Sequence, residues 1–160
     1  ILKAEEIAEA SPRLAAFVMG TSDLAKDLHC AHTPMRLPML YGLSKCLMAA
    51  RAAGIAIVDG VHLDLGDDEG FKRQCEEGRD FGFDGKTLIH PKTIATANEI
   101  FAPDTAAVEW SRQVIDAHQQ ATARGEGVVL LDGKLIENLH VEDAHRVVAM
   151  AEAIAARGSD

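Results

Sequence analysis

Residues 47–60 read LMAARAAGIAIVDG and contain the change of local structure on which the fold depends. The first part carries apolar residues at helical spacing, and Gly54 is a residue type at which helices commonly end. Residues 55–58 form an apolar run that is too short for a helix and passes directly into Asp59-Gly60. The stretch therefore predicts a helix, then a buried strand, with a carboxylate at the carboxyl end of that strand.

The same alternation extends in both directions along the chain. Residues 14–19 form a further short apolar run, which we expect to be buried on both faces, and residues 86–89 predict a third buried strand. Helical patterns lie between the runs, at about residues 21–28, 38–53 and 67–81. Short buried strands that alternate with helices predict parallel βαβ units, so we expect an α/β fold with the three strands adjacent in one sheet.

The last third of the sequence has a different character. Residues 104–124 and 141–156 have helical patterns, and two apolar runs between them flank Asp132-Gly133, a dipeptide that favours a two-residue hairpin turn. This change of pattern predicts two parts, residues 1–102 and a helix–hairpin–helix extension at 103–160. Because an exposed hairpin with so many apolar residues would need a covering partner, we expect the extension to pack on a neighbouring subunit.

Composition disfavours several classes of protein. The formal net charge is −9, with 16 Lys and Arg against 25 Asp and Glu, which argues against a nucleic-acid partner. No apolar run reaches the roughly 18 residues that a membrane helix requires. The three cysteines have no metal or disulfide spacing, and we expect reduced thiols in a cytoplasmic protein; they are Cys30, Cys46 and Cys75.

Polar residues follow all three predicted strands, at the edge where barrel enzymes hold their sites. Asp23 is either a magnesium ligand, since Mg²⁺ prefers oxygen ligands, or a residue that caps the next helix. Asp59 either lines a site or forms a salt bridge across this edge. His90 either binds or transfers protons, or it shapes the loop before Pro91. Composition and spacing leave these alternatives open.

Five segments, taken together, resemble the HpcH/HpaI aldolase and citrate-lyase-beta-like family, and within it the malyl-CoA lyase branch. They are MGTSDLAKDL (19–28), LMAARAAGIAIVDGV (47–61), GFDGKTLIHPKTI (82–94), NEIFAPD (98–104) and DGKLIENLHVEDAHR (132–146). The resemblance implies a (β/α)8 TIM barrel. The chain would hold the last three strands of that barrel, followed by the extension.

The activity implied by this resemblance is that of a magnesium-dependent acyl-CoA lyase, with manganese as an alternative metal. It would cleave malyl-CoA or β-methylmalyl-CoA, both coenzyme A thioesters, to acetyl-CoA or propionyl-CoA and glyoxylate. A malyl-CoA thioesterase on the same scaffold is the first alternative. A non-catalytic fragment or assembly subunit is the second.

The resemblance also implies roles for individual residues. Asp23 would bind the metal ion, and Glu137 would be the catalytic carboxylate in the site of a neighbouring subunit of a trimer or hexamer. A second metal-binding Glu and a substrate-binding Arg would come from chain that precedes Ile1. The residues that would contact the substrate are Gly20, Thr21, Ser22, Asp59, Ile89, His90 and Pro91.

Overall fold

The computed structural model describes residues 1–126 and 128–157. It divides into two compact units, of which the first is Ile1–Phe101 and the second begins at Ala102. None of the helices in this described part of the chain is long and apolar enough to cross a lipid bilayer.

The first unit is built on a parallel sheet of three strands, β1 (Ala16–Val18), β2 (Ala56–Asp59) and β3 (Gly85–Lys86), in that order. Ala16 pairs with Ala56, and Asp59 pairs with Lys86. The prediction of three adjacent parallel strands is confirmed. The sheet is open, with β1 and β3 as its outer strands.

Both outer strands are shorter than the sequence segments that predict them. The first spans three residues where residues 14–19 are apolar, and the third ends at Lys86 where the run continues to residue 89. Each outer strand has one neighbour in the sheet, so pairing with β2 limits its length. Val18 is 65% exposed, so the expectation that β1 is buried on both faces is wrong, because the described residues leave the Val18 side chain uncovered.

Five helices connect and cover these strands. They are α1 (Ala4–Ala8), α2 (Thr21–Asp27), α3 (Leu40–Ala52), α4 (Asp68–Phe81) and α5 (Ile94–Phe101), with 3₁₀ turns at Leu37–Met39 and Pro91–Thr93. The predicted cap of α4 is confirmed, because the Asp67 carboxylate accepts the Gly70 N–H at 2.8 Å. The helix ends at Gly82, whose φ of 102° is a conformation that glycine adopts readily.

The apolar core of this unit lies between the sheet and α3. Met39, Leu43 and Ile57 are fully buried in one cluster, which joins the central strand to the helix that precedes it. A smaller cluster joins α4 to α5 through Phe71 and Ile100. Burial of these apolar side chains is what holds the helices on the sheet.

The second unit consists of α6 (Thr105–Ala123), β4 (Val129–Leu131), β5 (Lys134–Ile136) and α7 (Asn138–Arg157). The predicted hairpin is confirmed, and its turn has left-handed backbone at Asp132 (φ 49°) and Gly133 (φ 75°). Val129 and Ile136 pair on the face that packs in this unit's core. Leu130 and Leu135 pair on the opposite face and are 70% and 51% exposed.

Candidate functional site

The carboxyl ends of β1 and β2 bring two short loops side by side. The Met19 N–H donates to the Val58 carbonyl at 2.9 Å, so the two chains remain paired one residue beyond β1. Gly20 and α2 follow on one side, and Asp59 ends β2 on the other. Two of the segments that the sequence singles out therefore meet at one edge of the sheet.

The carboxylate of Asp59 is completely buried and fully paired. Arg36 Nη1 donates to both of its oxygens, at 2.6 and 2.8 Å, and Lys86 Nζ donates at 2.9 Å. The Gly60 N–H donates to it at 2.8 Å. Of the two roles considered for Asp59, the salt bridge is the one that its 0% exposed side chain forms in this structure.

A second carboxylate completes this group of charges. Arg36 is only 3% exposed, and its Nε donates to Glu77 of α4 at 2.9 Å. Its backbone is left-handed, with φ of 50°, a strained conformation for a residue with a side chain. Its Nη2 is enclosed without an acceptor among the described residues. We call Arg36, Asp59, Glu77 and Lys86 the buried ion network.

Burial changes the acid–base properties of groups in and near the network. Desolvation lowers the pKa of the Lys86 ammonium, and the attraction and hydrogen bond of Asp59 oppose that shift. Burial raises the pKa of the nearby Cys75 thiol to about 11. Cys75 is therefore a protonated thiol at neutral pH, which is not the nucleophilic form.

Asp23 lies in the first turn of α2 with its side chain exposed. Its Oδ2 is 3.7 Å from the point that a Cβ on Gly20 would occupy, so the carboxylate lies over the bare backbone of that glycine. Within residues 1–126 and 128–157, no group of three His, Cys, Asp or Glu side chains is arranged to hold a metal. Asp23 fits Mg²⁺ as one oxygen ligand, since this ion takes few carboxylates and keeps water or substrate in other positions.

The other predicted substrate contacts lie in two segments, at the start of α2 and after β3. Thr21 is buried and Ser22 is half-buried at the start of α2, beside Gly20. Ile89, His90 and Pro91 follow β3 and are exposed. The Nδ1 atom of His90 accepts the Lys92 N–H at 3.1 Å, which caps the short 3₁₀ turn.

Glu137 belongs to the second unit, whereas the ends of β1 and β2 belong to the first. It lies between β5 and α7 and is exposed, and its N–H donates to His140 Nδ1 at 2.9 Å.

Sequence reasoning missed three members of the buried ion network. Lys86 gave a signal, since a lysine at the start of an apolar strand needs a buried counter-charge. Arg36 comes from an irregular loop, and Glu77 is one of several charged residues on α4, so neither has a distinguishing pattern.

Comparisons with known proteins agree with one another about the family. The sequence profile of the HpcH/HpaI aldolase/citrate lyase family matches residues 1–91. A (3S)-malyl-CoA thioesterase of Cereibacter sphaeroides (strain ATCC 17025) is 51% identical over 99% of this chain and 55% of its own length. An L-malyl-CoA/beta-methylmalyl-CoA lyase of the same strain is 36% identical over 98% of this chain and 54% of its own length. The chain spans about half the length of the curated relatives it matches.

A solved structure extends the likeness to the fold. It is that of CitE from Mycobacterium tuberculosis, in complex with magnesium, acetoacetate and coenzyme A. It superposes with a TM-score of 0.70 at 26% sequence identity, covering 93% of this chain and 56% of that one.

Proposed function

We propose that this chain, which belongs to the HpcH/HpaI aldolase/citrate lyase family, contributes to an acyl-CoA enzyme that hydrolyses (3S)-malyl-CoA to malate and coenzyme A. The observation that carries this proposal is the 51% identity to a (3S)-malyl-CoA thioesterase across nearly the whole chain, against 36% to a malyl-CoA lyase. The thioesterase thus replaces the lyase as the first candidate activity. The lyase remains the second, since the family motifs and the more distant relative support it.

The fold proposal follows from the open sheet. We infer that β1, β2 and β3 form one side of a (β/α)8 barrel, because β1 has a free edge at which a further strand would pair. The exposed Val18 lies on a face of the sheet that a closed barrel would cover. A barrel would place the carboxyl ends of these strands at the mouth where barrel enzymes carry out chemistry. The residues at the ends of β1 and β2 are then the natural candidates for a site.

Asp23 is the proposed metal ligand of this site, as one carboxylate oxygen. A magnesium ion held there would act as a Lewis acid and stabilise negative charge that develops on a substrate oxygen. Gly20, Thr21 and Ser22 would hold a carboxylate of the substrate, because the first N–H groups of a helix have no acceptor within the helix. The likeness to a CitE structure that contains magnesium supports this assignment.

The loop after β3 is the proposed contact for coenzyme A. Ile89, His90 and Pro91 are exposed, and the neighbouring Lys92 ties this loop to the one before α4. Lys92 Nζ donates to the Leu65 carbonyl and, at 2.7 Å, to the Asp68 carboxylate. These contacts of Lys92 hold the two segments together at the surface, where a long substrate such as coenzyme A could bind along both.

Glu137 is the proposed general base, reaching the site of a neighbouring subunit in a homo-oligomer. Its exposed carboxylate is free to accept a proton from an attacking water in hydrolysis. In a lyase the same carboxylate would take the proton from the α-carbon of acetyl-CoA in the condensation direction, and its acid form would return that proton to the α-carbon of the enolate in cleavage. A carboxylate can serve in either reaction, so this residue does not separate the two activities.

A product assay with the full-length protein and (3S)-malyl-CoA decides between them. We expect free coenzyme A thiol and malate to appear in equal amounts, without glyoxylate. Asp23→Ala should lower kcat/KM by about 100-fold or more, since a catalytic metal contributes several kcal/mol to the transition state. Asp27→Ala, at an exposed carboxylate of the same helix, is the matched control and should retain activity.

Glyoxylate and acetyl-CoA as the main products would make the enzyme a lyase. Absence of turnover in a folded full-length protein supplied with Mg²⁺ would contradict both activities. Full activity of Asp23→Ala would remove this residue from the metal site.

A further inference from the structure

The peptide group of Gly60 is held from both sides by the buried ion network. Its N–H donates to Asp59 Oδ1 at 2.8 Å, and its carbonyl accepts from Lys86 Nζ at 2.6 Å. Both bonds are buried, and both involve a charged partner, which makes them stronger than ordinary amide hydrogen bonds. The position of Gly60 is therefore determined by the charges of Asp59 and Lys86.

Gly60 in turn forms the surface on which Thr21 packs. A Cβ at position 60 would overlap the Thr21 hydroxyl and would lie 2.5 Å from its Cγ2 and 2.8 Å from its Cβ. Thr21 is 3% exposed, so its side chain has no free space into which to withdraw. The close approach of side chain and bare backbone requires glycine at position 60.

Thr21 begins α2, and Asp23 lies two residues further on in the same helical turn. A short helix moves as a rigid piece, so a displacement of Thr21 is passed to Asp23. The contacts thus run without interruption from the buried charges, through Gly60 and Thr21, to the exposed carboxylate at the sheet edge.

We propose that the buried ion network, acting through Gly60 and Thr21, positions the carboxylate of Asp23. Arg36, Asp59 and Lys86 are then positioning residues that act at a distance from the substrate. The inference rests on the proposed role of Asp23 as a metal ligand. It adds residues and a path of contacts that this role does not itself require.

The energetics of the network favour a positioning role over a purely stabilising one. Three buried charges, an Arg36 Nη2 enclosed without an acceptor among the described residues and a left-handed Arg36 backbone are all costly compared with apolar packing. Apolar residues would hold the same strands together at least as well. What the charges add is a rigid set of directed bonds on one peptide group.

The test measures Mn²⁺ binding to the full-length protein by electron paramagnetic resonance, at a temperature where every variant is folded by circular dichroism. Asp23→Ala gives the loss expected when the ligand itself is removed. Gly60→Ala should weaken Mn²⁺ binding by about tenfold, the lower end of what changes outside the first coordination shell cause. Gly85→Ala is the matched control, a glycine of the same sheet whose Cβ would meet nothing within 4 Å, and should bind as wild type.

The double variant Gly60→Ala/Thr21→Gly separates positioning from general damage. Removal of the whole Thr21 side chain takes away all three atoms that the new Cβ would overlap, so part of the lost affinity should return. A merely structural effect of Gly60→Ala would not be relieved by a second truncation, which by itself removes buried contacts.

Two results would overturn the inference. The first is wild-type Mn²⁺ affinity in Gly60→Ala while Asp23→Ala has lost it. The second is a loss in Gly60→Ala that the double variant does not reduce. If Asp23→Ala itself binds Mn²⁺ normally, the metal role and this inference fail together, whereas the release of coenzyme A tests the thioesterase proposal independently.

Discussion

The carboxylate of Asp59 is compensated by two cationic side chains in the interior. These are Arg36 and Lys86, and the carboxylate faces no solvent. A buried charge that loses its partner is penalised far more than the pair itself stabilises, because the remaining ion is left without compensation. The stability of the strand end is thus sensitive to each member of the buried ion network.

We predict that Asp59→Asn lowers the free energy of unfolding by about 3–5 kcal/mol, because an amide cannot neutralise Arg36 and Lys86. Asp80→Asn is the matched control, since Asp80 pairs with Arg79 at 2.8 Å on the surface and its loss should change little. Urea unfolding of both variants measures the difference. Equal effects of the two substitutions would show that the buried pairing contributes nothing special.

Part of this site follows from sequence at the scale of the residue. Asp59 is predictable, because a short apolar run that passes directly into a carboxylate places that carboxylate at a strand end. Asp23 comes four residues after its apolar run and lies in the first turn of α2, close to the same edge of the sheet. Arg36 is not predictable in this way. It reaches Asp59 from an irregular loop 23 residues earlier, and no periodicity relates two such positions.

At the scale of the element, local chemistry determines some of the helix ends and turns. Asp67 caps α4 and Asp132-Gly133 forms the hairpin turn, as their residue types predict. Strand lengths are different, since they depend on how far a neighbour remains paired. β1 and β3 are therefore shorter than the segments that predict them, and the sequence of a strand alone does not show where its pairing stops.

The cap of α4 should cancel the stabilisation that replacement of a helical glycine by alanine normally gives. Gly→Ala within a helix normally stabilises by about 1 kcal/mol. At Gly70 a Cβ would overlap the Asp67 carboxylate and displace the cap, which is itself worth about 1 kcal/mol. We expect Gly70→Ala to be nearly neutral in wild type but stabilising by about 1 kcal/mol in an Asp67→Ala background.

Thermal or urea unfolding of the four proteins in this cycle measures the coupling between the two positions. Glu69→Ala replaces Asp67→Ala as the control background, because Glu69 is an exposed acidic residue of the same turn, whereas the cap hydrogen bond is accepted by Asp67. The same effect of Gly70→Ala in every background would show that the cap and the glycine are independent.

At the scale of the whole molecule, two surfaces point outward from their own units. The first unit has the open edge of β1, and the second has the exposed pair Leu130 and Leu135 beside Glu137. The hairpin's opposite face is covered by its own helices, through Val129 and Ile136. One face of the hairpin is thus covered within the unit, and the sequence could not show which face this is because both carry large apolar residues.

The shared site proposed for the homo-oligomer predicts complementation between inactive variants of the full-length protein. Asp23→Ala and Glu137→Ala should each lose most of their activity, by about 100-fold or more. After subunit exchange, a mixture of the two should recover part of it. Some mixed interfaces then combine an intact Asp23 with an intact Glu137, and the release of coenzyme A measures the return.

Mixing Asp23→Ala with the Asp23→Ala/Glu137→Ala double variant is the control, since no interface in that mixture has an intact Asp23. Activity that stays at the level of the single variants, although mass spectrometry shows mixed oligomers, would place Glu137 outside a shared site.

The buried ion network also restricts the routes by which this sequence can change during evolution. Any single replacement that removes the charge of Arg36, Asp59 or Lys86 passes through an ancestor in which a buried charge has lost a partner. Gly60 and Thr21 add a steric condition to the same neighbourhood. We therefore expect these positions to change together during evolution. A lineage would gain or lose the arrangement through concerted substitutions and not through a series of independently tolerated steps.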